Sequence, residues 1–189
     1  MDLYSMMIRR IKQFWRALKA KITDEDKFFI GKYLNEEEQK LFFNMQVFDQ
    51  RHSLNVAYTA GLIIKEQKIE DIDEDLLFKA CLLHDIARTK QDICLGDKVV
   101  NVLISKIAPK KSKIWAEQAK VLSKIERKSF WQKRRYALYL YYYHAQIGAE
   151  ILAKMGLSEL SEIVRYHHID LENKINRELI ILCQADNLN

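Results

Sequence analysis

The sequence contains few of the residues that interrupt helices. Of its 189 residues, five are Gly and one is Pro, whereas the turns of β-rich proteins depend on both residue types. Hydrophobic residues make up 49% of the chain, yet no apolar run approaches the roughly 20 residues that are needed to cross a bilayer. The composition therefore predicts an all-α protein without a transmembrane segment.

The sequence is also poor in cysteine. Its three cysteines, Cys81, Cys94 and Cys183, form no C-x-x-C pair, and no cleavable signal peptide precedes them. A disulfide framework is therefore not predicted. A reducing cytoplasm is the expected location.

Charge is distributed unevenly along the chain. The formal net charge is +5, but residues 86–143 carry 14 Lys or Arg against 4 Asp or Glu, about +10. This basic insert is expected either to be a solvated face or to attract an anionic ligand, such as a nucleotide or a phosphate ester, although the charge would also suit a nucleic acid or a membrane surface. A small phosphorylated substrate is the expected partner, and nucleic acid is not expected.

Residues 1–22 are predicted to form a basic amphipathic helix, because apolar residues recur there at helical spacing with basic residues between them. The apolar positions are Leu3, Met7, Ile11, Phe14, Leu18 and Ile22. Such a helix could lie on an anionic membrane, but packing on neighbouring helices or on a second subunit requires no special assumption and is preferred. A homodimer remains open.

Residues 23–189 are predicted to form one helical domain with a basic helical insert at about residues 88–140. Helix starts are expected at residues that can cap or open a helix, namely Thr23, Asn35, Asp49, Asp73, Ser112, Ser129, Ser158 and Asn176. The helix capped by Asp73 is expected to end near Ala87, and the helix from Ser112 near Lys128.

Histidine and aspartate residues recur on the apolar faces of these predicted helices. His52, for example, shares a stripe with Val56 and Ala60. The set is His52, His84, Asp85, His144, His167, His168 and Asp186. A single inward histidine is usually an ordinary core residue, but several buried imidazoles and carboxylates are costly unless something pairs with them. A divalent cation satisfies many at once, so a shared metal site is predicted.

The adjacent residues His84 and Asp85 suggest how two ions could be arranged. Their side chains diverge by about 100° on a helix, and the two oxygens of Asp85 could bind separate ions. One ion would take His52, His84, Asp85 and Asp186, and the other Asp85, His144, and His167 or His168. Two neighbouring ions suit attack on phosphorus, because one lowers the pKa of a bridging water and both neutralise phosphoryl charge.

These residues resemble a known signature. His52, then His84-Asp85 within the sequence CLLHDIAR, and Asp186 within QAD are similar to the H…HD…D pattern of the HD-domain phosphohydrolase superfamily. His144 and the His167-His168 pair resemble the extra histidines of its binuclear branches, which include diadenosine tetraphosphate hydrolases and HD-GYP phosphodiesterases. The GYP sequence itself is missing, which disfavours a cyclic dinucleotide as the substrate.

The resemblance implies a compact HD-domain helical bundle with a divalent metal centre, often iron in the binuclear branches. Manganese and zinc are also compatible with imidazole and carboxylate ligands. It further implies hydrolysis of a phosphoester or phosphoanhydride, with Asp85 in the metal centre and Arg88 in contact with substrate phosphate. The alternative role of Arg88 is a surface salt bridge.

The predicted function is therefore a metal-dependent phosphohydrolase that acts on a nucleotide or a related compound through a metal-bridging hydroxide. Tyrosines that precede His144 could stack on a nucleobase, although core packing is the preferred interpretation. They are Tyr136, Tyr139, Tyr141, Tyr142 and Tyr143. The alternative function is a regulatory module that binds metal and nucleotide without turnover. Asn55 is consistent with this alternative, because relatives can carry a basic residue at that position.

Overall fold

The computed structural model describes residues 20–121, 129–168 and 176–189, and its regular structure is helical. Within these ranges nine helices form, α1 (Asp24–Tyr33), α2 (Glu36–Asn44), α3 (Val47–Gln67), α4 (Glu74–Leu83), α5 (Leu95–Ile107), α6 (Pro109–Ala119), α7 (Phe130–Lys154), α8 (Ser158–Tyr166) and α9 (Arg177–Leu188). The prediction of an all-α fold is confirmed.

Side-chain caps determine where several helices begin. The Thr23 hydroxyl accepts a hydrogen bond from the Asp26 amide, and the Asp26 carboxylate accepts one from the Thr23 amide. Asn35 and Glu38 form the same reciprocal pair at the start of α2. These bonds satisfy amides that have no partner inside the helix. The predicted starts at Thr23, Asn35, Asp73, Ser129, Ser158 and Asn176 are confirmed.

The predicted start of α3 and the predicted end of α4 are wrong. Helix α3 begins at Val47, so Asp49 lies in its first turn instead of capping it. Helix α4 ends at Leu83 and not near Ala87. The chain tightens after Leu83, because the Ile86 and Arg88 amides bond to carbonyls only three residues earlier, and this turn removes His84 and Asp85 from the helix.

The basic insert contains one helix that was not predicted and one with wrong boundaries. Helix α5 was missed, and α6 begins at Pro109, before the expected Ser112. Proline at the first position of α6 suits a helix start and cannot continue α5, so the two helices are separated by Ala108. Helix α6 ends at Ala119, whereas the prediction extended to Lys128; residues 122–128 are outside the described ranges.

Most of the predicted N-terminal helix lies outside the described residues, and residues 20–23 are not helical. In the part of the chain that is described, no helix combines the length and apolar character that crossing a membrane demands.

Helix α4 is the centre of the core. It packs against α1, α2, α3, α8 and α9, and Leu77, Leu82 and Leu83 are fully buried. The insert helices α5 and α6 pack instead on α7, which in turn packs on α8. The turn after α4 is therefore held in the middle of the molecule.

A buried carboxylate joins α1 to α3. Arg51 and Tyr58 both donate to Asp26, the latter over 2.8 Å. Burial by itself would raise the pKa of Asp26, but the hydrogen bonds from Arg51 and Thr23 outweigh it and lower the pKa from 3.8 to about 2. The ionised form is therefore stabilised by folding.

We expect Asp26→Asn to lower the free energy of unfolding at pH 7 by about 2 kcal/mol, since each unit of pKa shift is worth about 1.4 kcal/mol. Because the folded pKa is lowered, this stabilisation is complete above about pH 4 and is lost as the pH falls through about 2. Urea denaturation from pH 7 to pH 3 measures both effects. Asp24→Asn is the control, because Asp24 is exposed on the same helix. Equal losses in the two variants, or a loss independent of pH, would contradict the assignment.

Candidate metal centre

The predicted ligands come together from five helical segments. His52 lies on α3, His144 on α7 and Asp186 on α9, whereas His84-Asp85 follows the end of α4 and His167-His168 follows the end of α8. The structure brings all seven residues together. Their role as ligands remains a prediction, whereas their proximity is a feature of the fold.

A first group surrounds His84. The ligand atoms of His52, His84 and Asp85 lie within 4.8 Å of one another. Asp186 completes this group, with Oδ1 at 2.9 Å from His52 Nε2 and 3.9 Å from His84 Nε2. These four residues are the set predicted for the first ion.

A second group surrounds His144. The ligand atoms of His144, His167 and His168 lie within 4.8 Å of one another. His144 Nε2 is 2.8 Å from His168 Nε2. Both members of the histidine pair therefore belong to this group, whereas the sequence left open which of the two takes part.

Asp85 lies between the two groups. Its Oδ2 is 3.6 Å from His84 Nε2, and its Oδ1 is 3.3 Å from His144 Nε2. Each carboxylate oxygen is thus closest to a different group. Asp85 therefore lies in contact range of both groups, although the helix on which its divergence from His84 was predicted ends at Leu83.

Backbone carbonyls orient the three most buried histidines. His84 Nδ1 lies 2.9 Å from the Cys81 carbonyl, and His167 Nδ1 lies 2.6 Å from the Val164 carbonyl. His144 Nδ1 lies 3.2 Å from the carbonyls of the preceding turn. When Nδ1–H donates to a carbonyl, Nε2 is the nitrogen left with a lone pair. All three Nε2 atoms therefore offer lone pairs to the same space.

Several of these atoms have no hydrogen bond. His84 Nε2, His167 Nε2 and Asp85 Oδ1 are buried, and none has a hydrogen-bond partner among the described residues. An unsatisfied buried polar atom is costly. A divalent cation accepts lone pairs from all three, so the residues present fit a metal centre.

The protonation states of the side chains also suit metal binding. Burial lowers the pKa values of His144 and His168, and it lowers that of His167 to about 3. Burial would raise the pKa of Asp85, but the Arg88 guanidinium beside it holds the pKa well below its usual range. Neutral imidazoles and an ionised carboxylate are the forms that coordinate metal.

Gly148 allows α7 to approach the turn after α4. A Cβ at this position would lie 3.4 Å from side-chain atoms of Ile86 and Val164, and 3.8 Å from the His84 carbonyl oxygen. A Cβ there would make ordinary van der Waals contacts, whereas a longer side chain would crowd the turn that carries His84. His144 lies one helical turn earlier on α7.

Arg88 reaches into the centre from the same turn. Its Nη1 donates to Asp85 Oδ2 over 2.5 Å, and its Nη2 lies 3.1 Å from His144 Nε2. Its side chain is only 16% exposed, so Arg88 does not form the surface salt bridge that was the alternative. By contrast, the guanidinium of Arg51, the residue before His52, is paired with Asp26.

Asp49 is a residue at the centre that sequence reasoning missed. It is fully buried on α3 one turn before Ser53, is paired with Lys98 of the insert, and has Oδ1 3.9 Å from Arg88 Nη1. The signal was present, because Asp49 shares the inward stripe with Ser53, Val56 and Ala60. It was interpreted as a helix cap instead.

The centre is closed on one side and accessible on the other. His84, Asp85, His144 and His167 are buried. The accessible members are His52, Asp186 and the exposed His168. These three residues are therefore the members of the centre that solvent reaches most easily.

Comparison with known proteins gives one family. A family model described as HD domain matches residues 50–135 and 119–189. Neither the curated proteins nor the solved structures contained a match to the chain. The two matched segments together contain all seven predicted ligands and Arg88, whereas Asp49 lies one residue before the first segment.

We expect the protein purified without oxygen to contain divalent metal, and Asp85→Ala to lose it, because Asp85 contacts both groups of histidines. Elemental analysis of the desalted protein measures this. The matched control is Asp75→Ala, which removes an exposed carboxylate from the same part of the chain. Metal-free wild-type protein, or full metal content in Asp85→Ala, would be incompatible with the assigned centre.

Proposed function

The chain belongs to the HD domain family, a superfamily of metal-dependent phosphohydrolases, and we propose that it hydrolyses a phosphoester or phosphoanhydride bond of a nucleotide. The observation that carries the proposal is the placement of Asp85, whose two oxygens lie 3.6 Å and 3.3 Å from histidines of different groups. We propose two ions, with iron as the preferred metal on the resemblance to the binuclear branches.

The fold sets the orientation of the side chains that would bind the metal ions. Bound divalent ions would lower the pKa of a coordinated water and neutralise charge on the phosphoryl oxygens. His84, His144 and His167 would hold them through Nε2, because their Nδ1 atoms are turned to backbone carbonyls. Asp85 and Asp186 would supply the negative charge. The reaction adds water to phosphorus and breaks the bond from phosphorus to the leaving oxygen.

The accessible side of the centre suits an incoming phosphate. His52 and Asp186 are partly exposed, and His168 is exposed, whereas the ligands behind them are buried. A phosphoryl group entering from this side would meet both groups of ligands. The buried side excludes bulk water, which strengthens electrostatic interactions within the centre.

Arg88 supports phosphate as the substrate group. Its guanidinium lies within hydrogen-bond distance of Asp85 and His144, so a cation is already present where phosphoryl charge would be neutralised. Arginine binds phosphate oxygens through two parallel donors. We propose that Arg88 donates to the phosphoryl oxygens of the substrate.

A nucleotide is proposed because the insert beside the centre is strongly basic, which favours a polyanionic substrate. Stacking of the base on the tyrosines of α7 is not part of the proposal. Tyr141, Tyr142 and Tyr143 direct their hydroxyls to Ser105, Ser112 and Glu117, respectively. They connect α7 to α5 and α6, as the packing interpretation predicted.

We also propose a reducing compartment, the cytoplasm. No disulfide joins Cys81, Cys94 or Cys183 in the part of the chain that the structure describes, and Cys81 and Cys183 are buried.

We expect metal-loaded protein to hydrolyse at least one member of a panel of nucleoside phosphates and dinucleoside polyphosphates, with release of phosphate or nucleotide. Asp85→Ala should lower kcat by at least about a hundredfold, since loss of even an outer partner of a metal ligand costs about 10-fold to 100-fold. Asp75→Ala should retain activity. Stoichiometric nucleotide binding without turnover across the whole panel would instead identify a regulatory module.

Arg88 gives a separate test. We expect Arg88→Ala to lower kcat/KM by about 100-fold to 1,000-fold, as does the loss of one donor to transition-state charge, and Arg88→Lys to recover part of it. Arg177→Ala is the control, because Arg177 forms an exposed pair with Asp71. Metal content is measured in each variant, so that lost ligation is distinguished from lost phosphate contact. An unchanged kcat/KM in fully loaded Arg88→Ala would remove Arg88 from the mechanism.

A further inference from the structure

The two helices of the insert expose apolar side chains on one surface. Helices α5 and α6 form a layer on α7 and are joined through Ala108. The exposed apolar residues of this layer, which we call the α5–α6 face, are Val99, Val100, Leu103, Ile107, Ile114 and Trp115. Ile107 is 81% exposed and Leu103 is 53% exposed. Large aliphatic side chains at such exposure are unusual when they are clustered.

On α5, the apolar residues lie opposite the side that packs on α7. Asp97 pairs with Arg134 of α7, and Asn101 donates to the Ala137 carbonyl, so these two residues mark the inner side. At about 100° per residue, Val99 and Leu103 lie about 160° from Asn101, and Val100 and Ile107 lie about 100° to 120° from it. This apolar stripe is therefore not part of the packing that holds the insert in place.

Helix α6 has the same arrangement. Ser112, Ala116 and Ala119 are buried, and Ser112 bonds to the Tyr142 hydroxyl of α7. Ile114 lies about 200° from Ser112 around the helix, on the outer side. Both helices thus direct apolar side chains away from α7.

Basic residues accompany the apolar stripes. Lys106, Lys110, Lys111, Lys113 and Lys120 are exposed on these helices or directly after α6. They belong to the segment 86–143, which carries 14 basic residues against 4 acidic ones. A partner for this face must accept aliphatic side chains and supply negative charge.

The distribution of charge and apolar side chains argues against three other occupants of the α5–α6 face. Residues 1–22 contain six Lys or Arg and one Asp, so they would be repelled by the insert. A symmetric dimer through this face would bring two basic inserts together. A nucleic acid would engage the lysines but would leave the aliphatic stripe in water.

We propose that the α5–α6 face docks on an anionic lipid bilayer. The aliphatic side chains and Trp115 would enter the boundary between headgroups and acyl chains, and the lysines would contact the anionic headgroups, as in other interfacial amphipathic helices. The sequence allowed membrane contact both for residues 1–22 and for the basic insert. The exposed apolar residues of α5 and α6 favour the insert.

Co-sedimentation of the full-length protein with vesicles tests this proposal. We expect binding to phosphatidylcholine mixed with phosphatidylserine, and little binding to phosphatidylcholine alone. Leu103→Glu with Ile107→Glu should weaken binding by more than about tenfold, since an apolar side chain of this size contributes about 1.5 kcal/mol or more when buried. Lys110→Glu with Lys113→Glu should weaken it by about tenfold or more, and high salt should weaken wild-type binding.

The control is Leu62→Glu, because Leu62 is 57% exposed on α3, away from the insert. It should bind vesicles as the wild type does. Helical content and metal content are measured to show that every variant is folded. Absence of wild-type binding, equal binding to both vesicle types, or full binding by the Leu103→Glu, Ile107→Glu variant would overturn the proposal. The last result would leave residues 1–22 as the membrane contact. If the Leu103→Glu, Ile107→Glu variant loses self-association but still binds vesicles, the α5–α6 face is a subunit interface instead.

Discussion

The candidate centre depends on a buried carboxylate at the end of the most enclosed helix. Asp85 follows α4, which packs against five other helices, and it has almost no exposure to solvent. A buried charge is tolerated only when compensating groups surround it. The Arg88 guanidinium pairs with Asp85 and compensates its charge, so packing of the core and assembly of the centre are parts of the same constraint.

The C-terminal ends of α4 and α8 determine how the candidate ligands are oriented. Helices α4 and α8 both stop immediately before a pair of candidate ligands, His84-Asp85 and His167-His168. The free carbonyls of their last turns bond to the Nδ1 atoms of His84 and His167. Carbonyls that lack a partner within the helix thus set the orientation of the imidazoles. The carbonyls left free where α4 and α8 end are therefore the groups that orient the histidines that follow.

The insert is attached to the centre as well as to α7. Lys98 pairs with Asp49, which lies on α3 one turn before His52, and Arg134 pairs with Asp97. These contacts hold the inner side of α5 while its aliphatic side faces outward. The same basic segment can therefore serve two purposes, a positive potential near the centre and an outer surface suited to an anionic bilayer.

Sequence alone determined the helical class, the capped starts at Thr23 and Asn35, and the inward placement of His84, His144 and His167, because capping and 3.6-residue periodicity are local properties. It did not reveal that Asp49 is buried beside Arg88, nor that α4 stops before His84, because the same residues also fit a helix cap and a continuing helix. Tertiary packing alone decided which oxygen of Asp85 faces which histidine. It also decided which side of α5 stays exposed. Both depend on how separate helices meet, and that information is not contained in the periodicity of any one of them.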